Sequence, residues 1–253
     1  MNKIIFIPLL NIPEIIPGDN ISQILINSLT KSEEELKNND VLVITQKIIS
    51  KSEHRIINLN TIKPNIKALK LGKKLNKNPQ LIQVILDESK SIIKIDERRG
   101  IIITENKIGH ISANSGIDHS NVDGDNHVTL LPENPDLTAK IIHGKLINTL
   151  NLKNIGIIIS DTFGRPWRIG QTNISIGSYG INPINDYKNE KDVFGVNLNS
   201  TQICIVDELA GGAEILMKKT NKIPAVLIRG IKFNFSAKGS KLILRDKKDD
   251  LFR

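Results

Sequence analysis

Residues 156–170 read GIIISDTFGRPWRIG, an apolar run that ends in an acid, a hydroxyl, a glycine and two arginines. The β-branched stretch from Gly156 to Ser160 predicts a short strand buried on both faces, with Asp161 and Thr162 just past its carboxyl end. In open α/β sheets that end is where ligands bind. Asp161 and Thr162 offer oxygen ligands to a hard cation such as Mg2+, and Arg165 and Arg168 offer forked donors suited to phosphate or carboxylate. The combination points to metal-assisted phosphate chemistry.

Outward from this run, the chain alternates strand and helix signals without a fixed order. Residues 3–7 and 41–45 read as strands, and Asp19 is placed to cap a helix carrying Ile21, Ile24, Leu25 and Leu29 at helical spacing. Residues 64–88 predict two short helices broken near Pro79, residues 91–95 and 101–104 a hairpin around Arg98 to Gly100, and residues 137–150 an amphipathic helix with Ile141, Ile142 and Leu146 inward. Strands at 202–206 and 225–229 flank a helix over 208–218, and residues 165–199 read as a loop-rich region. The mixed order predicts an α+β fold. One subdivision puts residues 1–90 and 200–253 in one lobe and 91–199 in a second.

Composition narrows the function classes. A chain of 253 residues with 39% hydrophobic content can bury a substantial core, and no apolar run approaches the roughly 20 residues of a membrane span. The N-terminal segment lacks a signal-peptide cleavage pattern, which predicts a cytoplasmic protein with no membrane partner. The formal net charge of +8 is spread along the chain and aromatic content is 4%, so nucleic acid is disfavoured against a small polyanionic substrate. Cys204 is the single cysteine, which excludes an internal disulfide, and its apolar surroundings predict packing rather than nucleophilic chemistry. There is no phosphate-loop motif, no GxGxxG, no HExxH and no GxSxG. The five histidines show no zinc spacing, and Asp123-Gly124-Asp125 lacks the acids of a calcium loop.

Three further clusters admit two readings each. NSGIDHSN (114–121) is a surface turn or a ligand loop; in TQKIISK (45–51) Gln46, Lys47 and Lys51 are a solvated helix start or phosphate contacts; in VDELAGGAE (206–214) Asp207 and Glu208 suit a helix N-terminus.

In order along the chain, DVLVITQKIISKSEHRI (40–56), NSGIDHSN, TLLPENPD (129–136), IIISDTFGRPWRIGQTNISIGSYGI (157–181), DELAGG (207–212) and IPAVLIRG (223–230) resemble the coenzyme F420:L-glutamate ligases. These gamma-glutamyl ligases put the glutamate tail on a deazaflavin coenzyme. The resemblance implies a two-lobed mixed α/β fold, a single ligase unit acting as a homodimer, and GTP as co-substrate. It also implies a divalent metal, Mg2+ or Mn2+, with K+ as a further candidate. The reaction it implies is activation of the terminal carboxylate of the precursor F420-0 as an acyl phosphate, followed by attack of the L-glutamate amine.

Residue by residue, Asp118, Asp161 and Thr162 match the family's metal-binding positions, with Asp118 and Asp161 at the catalytic centre. Ile12, Pro13, Glu14, Ile15, Gln46, Lys47, Lys51 and Asn121 match positions that contact GTP. Arg165 and Arg168, as substrate anion-binding residues, are an inference from this chain alone. Archaeal members carry a glycine-rich acidic segment that supplies a second metal ligand, where this chain has Met217-Lys218-Lys219-Thr220-Asn221-Lys222. A folate as acceptor, a metal-dependent phosphohydrolase and a non-catalytic nucleotide-binding protein stand as alternatives.

Overall fold

A computed structural model describes residues 3–119 and 126–252. Its centre is a five-stranded sheet in the order β1 (Ile5–Pro8), β12 (Ala225–Arg229), β2 (Val41–Thr45), β8 (Gly156–Gly164) and β9 (Gln171–Tyr179). Only the β2 and β8 pair is parallel; the other three pairs are antiparallel. Val41 to Ile44 and Ile157 to Ile159 are fully buried, as expected of middle strands covered on both faces.

Each face has its own core. On one, Leu42, Ile44, Ile157 and Ile159 pack with Leu25 and Leu29 of α1 (Ile21–Lys31) and Ala139, Ile142 and Leu146 of α5 (Pro135–Leu150). On the other, Val41, Val43, Ile158 and Val226 meet Val206, Leu209, Ala213 and Met217 of α6 (Ile205–Met217). Each such aliphatic side chain stabilises the fold by about 1.5–3 kcal/mol relative to exposure. A third core lies outside this sheet, where α3 (Ile66–Leu75) and α4 (Pro79–Asp87) contribute Ala68, Leu75, Ile82 and Ile85 against Ile102 of β5 (Ile101–Asn106). Strand β5 pairs on either side with β4 (Ser89–Asp96) and β6 (Ile111–Ala113). Short strands β3 (Ile56–Asn58) and β7 (His127–Thr129) form one further pair, and β10 (Ile184–Asp186) and β11 (Gln202–Cys204) another.

Several expectations need correction. The central sheet takes β8 and β9 from the expected 91–199 lobe and the other three strands from residues 1–90 and 200–253, so the sheet crosses that boundary. The loop-rich region 165–199 contains a nine-residue strand, because β9 runs antiparallel to β8 along its length. Its polar residues conceal it: Asn173, Ser175 and Ser178 are buried, Asn173 bonded to Thr162 across the hairpin and the two serines satisfied by distant partners. Asp207 Oδ1 accepts from Ser175 N at 2.8 Å, and Asp136 Oδ1 accepts from Ser178 N at 2.8 Å. Asn20, not Asp19, caps α1 by accepting from Gln23 N, while Asp19 accepts from Ile16 N in the preceding turn. Ile141 is 48% exposed because the inward face of α5 follows 139, 142, 143 and 146. Ile205 and Val206 open α6 rather than ending a strand.

Asp161 and Thr162 lie inside β8, not beyond it, because β9 continues to pair as far as Gln171 opposite Gly164. The parallel neighbour β2 stops earlier, at Thr45 opposite Ser160. Asp161 is therefore the first β8 residue beyond the carboxyl end of β2.

Candidate functional site

The end of β2 passes directly into α2 (Gln46–Ser52), so Gln46 and Lys47 emerge beside Asp161 because Thr45 and Ser160 are in register. Lys47 Nζ is 2.8 Å from Asp118 Oδ2. Asp118 is held in place by a two-way backbone bridge to Thr129, with N···O distances of 3.1 and 2.9 Å. The turn before it is tightly fixed. Asn114, Ser115 and Gly116 all have left-handed φ values, of 50°, 58° and 74°. The buried Ser115 hydroxyl lies 2.6 Å from Ser89 Oγ and 2.7 Å from Thr104 Oγ1, which ties the turn to β4 and β5.

Asp161 is the most perturbed acid of the site, with its pKa pushed up to about 6. Removal from water is the main cause; the Thr162 N–H opposes it, the nearby charge of Asp118 reinforces it, and Lys47 and Lys219 oppose it. Two carboxylates close enough to repel, with cations around them, form an oxygen donor set that suits a hard divalent ion. Asp118 and Asp161 thus fit the expected metal. Among the described residues no group of three or more His, Cys, Asp or Glu side chains gathers as a metal site, here or elsewhere, so this donor set is a pair of carboxylates.

Thr162 behaves differently from its neighbour, since consecutive strand residues point to opposite faces. Its hydroxyl donates to Asn173 Oδ1 at 3.0 Å and accepts from Lys219 Nζ at 2.6 Å. Lys219 also pairs with Glu214 at 3.1 Å. Asn173 and Glu214 were not legible as site residues. The only trace of Asn173 in the sequence is its position across the hairpin from Thr162.

The expected nucleotide contacts cluster along α2 and residues 12–15. Lys51 is largely buried and pairs with the exposed Glu14, while Gln46 is buried and its Oε1 accepts from Ser50 Oγ at 2.7 Å. Ile15 is buried in the core with α1, Ile12 is partly buried against that core, and Pro13 is exposed. Asn121 lies outside the described residues, as does the 123–125 turn. Arg165 and Arg168 sit in the β8–β9 turn; Arg165 donates to the carbonyls of Ile169 and Gly170, at 3.0 and 3.3 Å, and so closes that turn. Cys204 packs with the α6 core, and burial with Asp207 nearby pushes its thiol up to about 12. The packing expected of it is what is found. No helix is long and apolar enough to cross a membrane, among the described residues.

A family profile described as F420-0:Gamma-glutamyl ligase matches residues 9–230. The coenzyme F420:L-glutamate ligase of Methanococcus maripaludis is 42% identical over 223 residues, covering 88% of each chain. That of Methanothermobacter thermautotrophicus is 39% identical over 242 residues, covering 93% of each, and that of Methanocaldococcus jannaschii 42% over 219 residues, covering 86% of each. With the family profile spanning most of the chain and relatives matched along nearly their whole length, the chain belongs to the F420-0:gamma-glutamyl ligase family.

Proposed function

We propose that the protein is a GTP-dependent ligase that joins L-glutamate by an amide bond to the terminal carboxylate of F420-0, working as a homodimer with Mg2+ or Mn2+. The observation that carries this reading is the convergence of Asp118 and Asp161 at the carboxyl end of β2 beside β8, with Lys47, from the helix that follows β2, paired to Asp118. The names of the relatives supply the two substrates, since each is called a coenzyme F420:L-glutamate ligase.

Amide formation between a carboxylate and an amine does not proceed in water unless the carboxylate oxygen is first made a good leaving group. In the proposed first step an oxygen of the F420-0 carboxylate forms a bond to the γ-phosphorus of GTP and the bond to the β-phosphate oxygen breaks, releasing GDP. In the second, the neutral amine of glutamate attacks the acyl carbon, inorganic phosphate leaves, and the surplus amine proton departs with it. Charge accumulates on phosphoryl oxygens in the first step, and stabilisation of that charge is the main task of such a site. Asp118 and Asp161 would hold the divalent ion, which when bound neutralises that charge. Lys47 and Lys51 supply fixed positive charge along α2, and Glu14 steadies Lys51 beside the 12–15 segment. Arg168, in the exposed β8–β9 turn, remains a candidate for the acceptor's anionic groups, and Arg165 contributes by holding that turn.

The test is incubation with GTP, Mg2+ or Mn2+, L-glutamate and F420-0, following nucleotide cleavage and product mass. GDP release that needs both acceptor and glutamate, with a product heavier by one glutamyl residue, is the expected result. Cleavage that proceeds without them would make the protein a phosphohydrolase, and glutamylation of a reduced folate in a parallel reaction would change the acceptor.

A further inference from the structure

Helix α6 does not run straight into β12. It ends at Met217, and Lys218 then takes a left-handed φ of 48°, a conformation that non-glycine residues seldom adopt. The reversal folds the next residue back over the last turns of the helix. Lys219 Nζ comes to rest 2.6 Å from Thr162 Oγ1 and 3.1 Å from Glu214 Oε1. The hydroxyl of Thr162 is oriented for this: its proton goes to Asn173 Oδ1, so it turns lone-pair density towards the ammonium. A hydroxyl oxygen and a carboxylate facing a common point are ligands for a hard cation. Here the cation at that point is part of the chain.

We propose that Lys219 is a tethered cation of the site: its ammonium occupies an oxygen-lined position formed by Thr162 and Glu214, on the opposite side of β8 from Asp118 and Asp161, and excludes a metal ion there. An ammonium is a compact point charge with three donors. Two of them serve Thr162 and Glu214, and the third is directed to an anionic oxygen of the nucleotide or acceptor. The positive charge is thereby supplied on one side of Asp161 by an ion taken from solution and on the other by a side chain. The inference builds on the assignment of Asp118 and Asp161 as metal ligands, but its test does not require that assignment to hold.

The test counts Mn2+ bound to the full-length protein by equilibrium dialysis, with the metal alone and no substrate. Lys219→Ala should bind one more Mn2+ per chain than the wild type. Lys219→Arg, which keeps the charge, should bind the same number as the wild type. Adding Glu214→Gln to Lys219→Ala should return the count to the wild-type value. Failure of Lys219→Ala to gain an ion, or an equal gain in Lys219→Arg, would overturn the proposal. Asp161→Asn serves as the separate control for the first metal: loss of an ion there concerns the Asp118 and Asp161 pair, whereas the Lys219 comparison is judged against whatever number the wild type binds. Unchanged melting temperatures across the Lys219 variants keep a folding defect from imitating either result.

Discussion

Replacing Asp161 by Asn should abolish ligation and, in the absence of metal, make the protein more stable. The carboxylate is raised from 3.8 to about 6, first by removal from water and further by the charge of Asp118. Because the folded value lies above the unfolded one, the folded chain binds more protons than the unfolded chain between those two values. Stability is therefore lost as pH rises through the window from 3.8 to about 6, and the loss is complete above it. A shift of roughly 2 units corresponds to about 3 kcal/mol. Since the side chain is only partly buried, about 1–3 kcal/mol is the range expected for the gain on neutralisation. Asn keeps the shape, and its side-chain oxygen can still accept from the Thr162 N–H. For a chain of this size the gain is about 2–10 °C in melting temperature.

The assay is thermal unfolding in a chelator at pH 7 and again near pH 4, for wild type and variant. The variant should melt higher at pH 7 and nearly level with the wild type near pH 4, where the folded carboxyl is protonated and the unfolded one is close to its own pKa of 3.8, so that little of the linkage is left. Added Mg2+ or Mn2+ should raise the wild type and leave the variant nearly unmoved, because an ion bound only by the folded state stabilises that state. A variant that melts lower than the wild type at pH 7 in chelator would falsify the account of Asp161 as a charge held at a cost for function.

Other sites give equally direct expectations. Lys51→Met removes the buried partner of Glu14 and should raise the KM for GTP by about ten- to a hundredfold, the loss of one charge-assisted hydrogen bond, with a smaller change in kcat; equal KM values for the two proteins would remove Lys51 from the nucleotide site. Asp136→Ala leaves the N–H groups of Ser178 and Ser240 without their acceptor and should lower stability by about 2 kcal/mol or more, with earlier proteolytic cutting near residues 239–243; a melting curve matching the wild type would contradict that role. Cys204, its thiol pushed up to about 12, should react slowly with thiol reagents at pH 8, and ligation should survive the treatment; rapid labelling of the folded protein would refute the packing assignment. Gly177→Ala would place a Cβ 2.5 Å from the backbone of Pro135 and should part α5 from β9, seen as a lower melting temperature; a neutral substitution would show that this contact can relax.

Much of the architecture was legible because its signals are local. The β-branched runs at 41–45 and 225–229 become β2 and β12 with the expected bounds, and Pro79 separates α3 from α4 where its ring forbids a continuing helix. The misses share a cause. Strand β9 hides in a loop-rich stretch because Asn173, Ser175 and Ser178 look like turn residues; Ser175 and Ser178 can be buried because Asp207, Asp136 and Ser240, distant in sequence, satisfy them, and Asn173 because Thr162 donates to it from across the hairpin. Thr162 adjoins Asp161 in sequence, yet strand alternation sends the two side chains to opposite faces and gives Thr162 a different set of partners. Glu214 and Asn173 carry no motif, so nothing short of the packed structure draws them to Thr162.

Most of the strands and helices, the family and the residue types at the site are legible in the sequence alone, because propensity, hydrophobic period and ordered motifs are written in residues near one another. Tertiary structure decided which of those residues meet. It set Asp118 across from Asp161 through the register of β2 with β8 and the bridge to Thr129, and it brought Lys219 back to Thr162 through the reversal at Lys218. Proximity between segments distant in the chain depends on strand register, on the faces that strands and helices bury, and on a few unusual backbone angles, none of which a residue specifies alone.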